Sequence, residues 1–272
     1  MSGRALRLQR LHRHGQRLLV APLDHPLAIG PLLPRAAGLD DLVGSLARGG
    51  ADAVVLHKGA VRRVAPHRWA DLSLVVHLNA STPIGGEPDE KYLVCSVEEA
   101  LRAGADMVSV HVNLGARTEA RQLQDLADVA ADCDHWGVPL LAMAYPRGPS
   151  VVDPYDPALV QHAVTAAAEL GADLVKTVQV ADPADMRAIT ASCPVPVLVA
   201  GGAPRERDGD LLRDVEAALS GGVGGLALGR CLFQADDPTQ ITRAVARLVH
   251  RPSPWAVTPQ EVDHDRPQAV LA

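Results

Sequence analysis

The stretch Glu169-Leu-Gly-Ala-Asp-Leu-Val joins the end of a predicted helix to the start of a predicted strand. Glycine ends a helix because it enters the left-handed region cheaply, and the apolar run after it is typical of a strand buried on both faces. A repeated helix–strand unit predicts a parallel sheet. The same pattern recurs in Leu46-Ala-Arg-Gly-Gly-Ala-Asp-Ala-Val, Leu101-Arg-Ala-Gly-Ala-Asp-Met-Val and Leu219-Ser-Gly-Gly-Val-Gly-Gly-Leu.

Further apolar runs bring the predicted strands to eight. Helix signals lie between them: Ser96 with Glu99 forms a capping box, and Asp156 and Asp182 each precede a proline at a helix start. Eight strands with intervening helices predict a single (β/α)8 barrel, an α/β fold, and an open doubly wound sheet is the alternative. We expect a barrel domain at residues 1–250 and a loosely packed tail at residues 251–272. The strands are expected near residues 18–24, 53–58, 73–79, 106–112, 138–145, 173–178, 195–200 and 224–228.

Composition narrows the class of protein. Of the 272 residues 47% are apolar and only 3% aromatic, so the core must be built from aliphatic side chains. The net charge of -6 with no basic cluster argues against nucleic acid as a partner, and no apolar run is long enough to span a bilayer. Neither a secretion signal nor a cysteine framework is recognisable. We expect a cytoplasmic protein with small-molecule partners.

Lysine is rare in this chain. Of 26 basic residues only Lys58, Lys91 and Lys176 are lysines. Because an arginine stays charged, a retained lysine suggests an amine that must lose its proton. Lys91 lies in a polar stretch and is expected on the surface. Lys176 lies among apolar neighbours, where burial favours the neutral amine that attacks a carbonyl; a lysine paired with a core carboxylate is the alternative.

Polar side chains stand at the predicted strand ends, where a barrel has its active site. They are Asp24, His25, His57, Lys58, His77, Asn79, His111, Asn113, Tyr145, Pro146 and Arg147. His57, His77 and His111 could hold a zinc ion, and packing in the barrel mouth is the other interpretation. We predict that no metal or cofactor is used.

Glycines follow the last two predicted strands. Gly201 and Gly202 follow the seventh strand, and Gly229 with Arg230 follows the eighth. Many barrels bind phosphate there, since glycine lets backbone N–H groups approach the anion and arginine can contact it bidentately. Ordinary turns are the alternative, but two glycine sites after consecutive late strands favour phosphate.

Several phrases resemble the class I aldolases of the archaeal fructose-bisphosphate aldolase type and the related 2-amino-3,7-dideoxy-D-threo-hept-6-ulosonate synthases. The resemblance runs from about Leu6 to His250. The matching phrases are Val20-Ala-Pro-Leu-Asp-His, Leu56-His-Lys-Gly, His77-Leu-Asn-Ala-Ser-Thr, Ser109-Val-His-Val-Asn-Leu-Gly, Pro139-Leu-Leu-Ala-Met-Ala-Tyr-Pro-Arg-Gly, Asp173-Leu-Val-Lys-Thr, Val199-Ala-Gly-Gly and Leu228-Gly-Arg.

The resemblance implies roles for individual residues. Lys176 matches the lysine that forms the Schiff base, and Asp24 and Tyr145 match the proton-transfer groups. The phosphate contacts fall on Gly201, Gly202, Gly229 and Arg230. The other substrate contacts are expected at His25, Pro26, Leu27, Ala28, Lys58, His77, His111, Pro146 and Arg147. The family also implies a homo-oligomer, a ring or stacked rings.

Three departures from the family pattern concern the substrate. Pro26 replaces the usual glycine after Asp-His, Val178-Gln-Val-Ala replaces a polar phrase, and Cys231 replaces asparagine. The expected reaction joins or cleaves a C–C bond between dihydroxyacetone phosphate and an aldehyde, with aspartate semialdehyde favoured. The alternatives are a transaldolase-like transferase, a fructose-bisphosphate aldolase and a non-catalytic phospho-sugar-binding barrel.

Overall fold

A computed structural model describes residues 3–30, 38–202 and 207–251. Within these residues eight parallel strands close into a barrel, as the sequence predicts, in the order β1-β10-β9-β8-β7-β6-β3-β2. The open doubly wound sheet is therefore wrong. The barrel strands are β1 (Leu18–Pro22), β2 (Ala53–His57), β3 (Ser73–His77), β6 (Met107–Leu114), β7 (Leu140–Pro146), β8 (Leu174–Thr177), β9 (Val197–Ala200) and β10 (Gly225–Ala227).

Helices surround the barrel and follow its strands. The helices are α1 (Gly3–Leu11), α2 (His25–Ile29), α3 (Leu39–Gly49), α4 (Lys58–Val61), α5 (Val97–Arg102), α6 (Glu119–Trp136), α7 (Pro157–Glu169), α8 (Pro183–Ser192), α9 (Asp208–Ser220), α10 (Arg230–Phe233) and α11 (Pro238–Val249). Short 3-10 turns lie at Pro66–Trp69 and Pro83–Gly85.

The predicted helix starts and helix-ending glycines are confirmed, although the carboxylate of Glu99 pairs with Lys58 instead of completing a capping box. The side chains of Ser96, Asp156 and Asp182 each accept a backbone N–H in the first turn of α5, α7 and α8. The glycines before β2, β6, β8 and β10 all have φ between +75° and +99°, which any other residue adopts only with strain. They are Gly50, Gly104, Gly171 and Gly222.

Two apolar layers hold the barrel together. The inner layer fills the barrel with inward side chains such as Val20, Val55 and Leu198, and the outer layer seals strands against helices. Leu11 of α1 is fully buried in the inner layer, so this helix closes the end of the barrel where the strands begin. The opposite end of the barrel, where the strands end, is not covered by this helix, and side chains there can form a site.

A small antiparallel sheet, which the sequence analysis missed, lies outside the barrel. It pairs β4 (Asn79–Ala80) with β5 (Tyr92–Leu93), so the chain makes an excursion after β3 before it enters α5. Strands of two residues have no periodicity from which to predict them. The excursion carries Asp89 and Lys91 back toward the barrel mouth.

The expectations for the cysteines, for membrane-spanning segments and for the C-terminal tail can also be compared with the structure. All four cysteines are buried thiols. No helix in the described ranges combines the length and the apolar character needed to cross a membrane. The predicted tail, apart from Arg251, lies outside the described residues.

Candidate active site

Lys176 lies in β8 with only 9% of its surface exposed. Its Nζ atom is 3.9 Å from the sulfur of Met143 and 6.0 Å from the centre of the Tyr145 ring. No described carboxylate lies within salt-bridge distance of this amine, so the alternative of a lysine paired with a core carboxylate is wrong for this part of the chain. The amine is free to meet a carbonyl carbon.

Tyr145, near the end of β7, is 7% exposed and links the lysine to the neighbouring polar groups. Its ring centre lies 4.9 Å from the ring centre of His111 and 5.6 Å from the guanidinium carbon of Arg147. These contacts hold the aromatic ring on two sides. The phenol is therefore placed beside the amine of Lys176.

Asp24 follows β1 and presents its carboxylate to the same cluster. Its oxygens lie 4.0 Å from Nε2 of His77 and 3.8 Å from Nδ1 of His25. Burial raises the pKa of Asp24, but its electrostatic interactions with His77 and Lys176 outweigh this effect, and the net pKa is lowered. Asp24 is therefore ionised at neutral pH and can accept a proton.

The three mouth histidines are neutral at neutral pH. Burial lowers the pKa of His77 to about 4, lowers that of His111 well below its usual value and also lowers that of His57. Nδ1 of His77 lies 2.8 Å from Oγ of Ser109, and Nε2 of His111 lies 2.8 Å from Oδ1 of Asn113.

The geometry does not support a zinc site at these three histidines. Among the described residues, one group of ligand atoms converges to within 4.8 Å, and it consists of His14, Asp52 and His250. That group lies where the strands begin, because Asp52 immediately precedes β2. It is also a satisfied hydrogen-bond cluster, since both rings lie within 2.9 Å of the Asp52 carboxylate.

The predicted phosphate residues lie side by side after β9 and β10. The N–H of Gly201 donates to the carbonyl of Ala227 at 3.3 Å, and Nη2 of Arg230 donates to the carbonyl of Gly202 at 3.2 Å. A Cβ on Gly229 would lie 2.7 Å from the carbonyl oxygen of Pro22, so no side chain fits there. The glycines thus allow a close approach between the late strands and β1.

The predicted substrate residues that follow Asp24 lie in a short helix. Pro26, Leu27 and Ala28 lie in α2 instead of a loop, and the proline occupies the first turn, where its missing N–H costs nothing. His25 begins this helix, with its ring centre 5.8 Å from that of Phe233.

Lys58 does not join the cluster around Lys176, contrary to expectation. It begins α4, and its Nζ atom lies 3.0 Å from the carboxylate of Glu99 on α5. Because β2 ends at His57, the helix that begins immediately after it turns Lys58 toward the outer helices.

Lys91 was wrongly predicted to be a surface residue. It is 8% exposed, and its Nζ donates to Oγ of Ser81 and, at 2.9 Å, to the carbonyl of Pro88. Burial lowers the pKa of Lys91, and the charge of Arg147 lowers it further. The amine therefore lies within electrostatic reach of Arg147 at the barrel mouth. The rarity of lysine was the signal that could have found it.

Two cavities near the ends of β7, β8 and β9 share part of their lining. One of about 490 Å³ runs beside Gly201 and Gly202, and one of about 270 Å³ is lined by Tyr145, Pro146 and Arg147. Val178 lines both of them. The segment in which the sequence departs from the family pattern therefore borders the space available to a substrate.

Comparison with known proteins relates this geometry to known enzymes. A family model described as "DeoC/LacD family aldolase" matches residues 18–235. The chain is 55% identical over 249 residues to 2-amino-4,5-dihydroxy-6-oxo-7-(phosphonooxy)heptanoate synthase of Streptomyces griseus, which covers 91% of this chain and 90% of that protein. It is 40% identical over 252 residues to 2-amino-3,7-dideoxy-D-threo-hept-6-ulosonate synthase of Halobacterium salinarum, with 92% of each chain covered.

Solved structures show the same relationship. An archaeal fructose-1,6-bisphosphate aldolase, with its catalytic lysine covalently bound to the carbinolamine intermediate of the substrate, superposes with a TM-score of 0.82. It is 30% identical and covers 91% of this chain and 99% of its own. In a similar protein, then, a lysine of the barrel forms the covalent bond.

Proposed function

We propose that this chain, which belongs to the DeoC/LacD family of aldolases, is a Schiff-base aldolase that joins dihydroxyacetone phosphate to aspartate semialdehyde. The observation that carries the proposal is the buried amine of Lys176, which has no carboxylate of the described residues within salt-bridge distance, beside the ring of Tyr145. An enzyme of the class I aldolase type needs such an amine, because the amine itself becomes the covalent catalyst.

The name of the Streptomyces relative's product supports this substrate pair. In a heptanoate with hydroxyls at C4 and C5, a ketone at C6 and a phosphate at C7, the C4–C5 bond is the aldol bond. Carbons 5 to 7 then come from dihydroxyacetone phosphate. Carbons 1 to 4, with the amino group at C2, come from aspartate semialdehyde. At 55% identity over nine tenths of both chains, we assign the same pair to this chain.

The proposed reaction begins with attack of the Lys176 amine on the ketone carbon. The carbinolamine loses water to give a protonated imine, which withdraws electrons from the adjacent carbon. A base then removes a proton from that carbon and leaves an enamine. Asp24 is the proposed base, since its lowered pKa keeps it ionised within the cluster.

The second half of the reaction forms the bond. The enamine carbon attacks the aldehyde carbon, and Tyr145 donates a proton to the oxygen that develops negative charge. Water then hydrolyses the imine and releases the product. The segment Gly201 to Gly202, the backbone N–H of Gly229 and the side chain of Arg230 are the proposed phosphate contacts, and they would hold the ketone while its carbonyl carbon reacts.

Borohydride trapping tests this proposal. Reduction in the presence of dihydroxyacetone phosphate should add the mass of the reduced ketone adduct to the peptide that contains Lys176, and Lys176→Arg should add none. An unmodified wild-type peptide, with activity abolished by a chelator, would overturn the proposal in favour of a metal-dependent aldolase.

A transferase reaction is the second candidate, favoured by the 40% identity to the hept-6-ulosonate synthase. A transferase would take its ketone fragment from a larger sugar phosphate. Free dihydroxyacetone phosphate with aspartate semialdehyde gives product only in the aldolase reaction proposed above.

The homo-oligomer and the cytoplasmic location stay predictions. Light scattering measures the number of subunits.

A further inference from the structure

We propose that Asp89 and Arg147 form the acceptor site, in which Asp89 binds the ammonium group and Arg147 the carboxylate group of an α-amino acid that carries the reacting aldehyde on its side chain. This inference rests on the proposed function, because it concerns the substrate that the enamine attacks. It adds Asp89, from the excursion between β4 and β5, to the residues that determine specificity.

The position of the pair agrees with an acceptor site. Asp89 and Arg147 both line the cavity of about 270 Å³, which also contains Tyr145 and Val178. The centre of the Tyr145 ring lies 5.6 Å from the guanidinium carbon of Arg147 and 6.0 Å from Nζ of Lys176. A four-carbon aldehyde held at Arg147 would extend its reacting end toward the amine across this ring.

The backbone of Asp89 is held in place although its loop lies on the surface. Its carbonyl oxygen accepts hydrogen bonds from Nδ2 of Asn113 at 2.8 Å and from Nε2 of Gln122 at 2.9 Å. Both amides are 1% exposed. Lys91 adds the two hydrogen bonds to Ser81 and Pro88 described above. Two hydrogen bonds from buried amides therefore fix the backbone of Asp89, and Lys91 holds the preceding Pro88 in place.

The carboxylate of Asp89 and the guanidinium of Arg147 are near but not joined. The closest atoms of the two groups are 4.0 Å apart, beyond hydrogen-bond distance, and the side chains are 32% and 51% exposed. Each retains hydrogen-bonding capacity for a ligand. The α-carbon of an amino acid carries an ammonium and a carboxylate side by side, which are the opposite charges that this pair complements.

Charge geometry also assigns the two roles. A guanidinium matches a carboxylate bidentately, and a carboxylate is the acceptor that a primary ammonium needs. A site built for an ammonium favours an aldehyde that carries it, because an aldehyde without the amino group loses the charge-assisted hydrogen bond to the Asp89 carboxylate. Aspartate semialdehyde carries both charged groups, and succinic semialdehyde lacks only the amino group.

The experiment compares these two aldehydes in four proteins: wild type, Asp89→Asn, Arg147→Lys and the control Glu90→Gln. Glu90 is an exposed carboxylate that precedes Lys91 in the same loop. We expect Asp89→Asn to reduce kcat/KM about tenfold or more for aspartate semialdehyde and less than about threefold for succinic semialdehyde. Glu90→Gln should leave both values unchanged. Arg147→Lys should reduce both, since both aldehydes carry the carboxylate.

The readout separates this inference from the proposed function. Trapping of dihydroxyacetone phosphate at Lys176 does not require the acceptor, so it should proceed normally in Asp89→Asn. If trapping is intact and Asp89→Asn impairs both aldehydes equally, Asp89 serves only to position Arg147 and the inference is overturned. An unchanged preference for aspartate semialdehyde overturns it as well. Failure of trapping in the wild type overturns the proposed function itself.

Discussion

The amine nitrogen of Lys176 lies 6.0 Å from the centre of the Tyr145 ring, and the two side chains come from neighbouring strands. In the register of β7 and β8, Met143 is paired with Lys176, so Tyr145 stands two residues further toward the mouth on the same face. A substrate must therefore pass the phenol to reach the amine. This arrangement separates imine formation at the lysine from proton transfer at the tyrosine.

Tyr145→Phe should separate these steps experimentally. The ring contacts to His111 and Arg147 remain, but the proton donor is lost, so kcat should fall about 10²–10⁴-fold. Borohydride trapping at Lys176 should persist. Steady-state rates and peptide mass spectrometry measure the two effects. Tyr92→Phe, at an exposed position on β5, should keep full activity, and a Tyr145→Phe enzyme within threefold of wild type would exclude the proton-transfer role.

Arg230→Gln should weaken binding of the phosphate and leave the chemistry nearly intact. Losing a charge-assisted contact should raise KM for dihydroxyacetone phosphate by about tenfold or more, with a smaller change in kcat. The KM for unphosphorylated dihydroxyacetone should stay the same. Exposed Arg63→Gln is the matched control. Equal effects on both ketones would contradict a phosphate contact at Arg230.

The sequence predicts the barrel well because its fold signals are local. A helix end at Gly171 and a cap at Asp156 are set by residues a few positions away, and each strand is a short apolar run. The phosphate glycines are predictable for a similar reason, since consecutive late strands are neighbours in a barrel. The position of Lys176 follows from its strand.

The orientation of side chains outside the strands could not be predicted from sequence. Lys58 and Lys91 both stand near polar residues, yet Lys58 pairs with Glu99 among the helices and Lys91 lies buried at the barrel mouth. The outcome depends on the path of the chain after each strand, which is determined by a short helix at Lys58 and by the two-stranded sheet whose strands flank Lys91. Contacts made across many residues decide both cases.

His77→Asn should change how stability depends on pH. Burial lowers the pKa of His77 from 6.5 to about 4, so the folded state binds its proton less readily than the unfolded state. Its neutral form therefore favours folding above pH 6.5, and this contribution is lost as the pH falls toward 4. The loss amounts to about 2 kcal/mol by pH 5 for a shift of this size.

Urea unfolding at pH 7.5 and pH 5 measures this effect. The wild type should lose about 2 kcal/mol more than His77→Asn over this interval, so the difference between the two proteins should narrow. The control His135→Asn, at an exposed position on α6, should leave the pH dependence unchanged. Parallel pH profiles for wild type and His77→Asn would show that His77 titrates normally in the folded protein.

Gly49→Ala should destabilise the barrel without affecting the site. Gly49 ends α3, and a Cβ there would lie 2.5 Å from Cβ of Thr242, a fully buried residue of α11. Backbone or helix displacement must relieve this overlap, at a cost of about 1–3 kcal/mol. Gly209→Ala in α9 is the control, because its Cβ would meet open space and should be neutral or slightly stabilising. We expect Gly49→Ala alone to lower the urea midpoint, with an unchanged slope and normal trapping at Lys176. Equal midpoints for the two variants would show that α3 and α11 have room to separate.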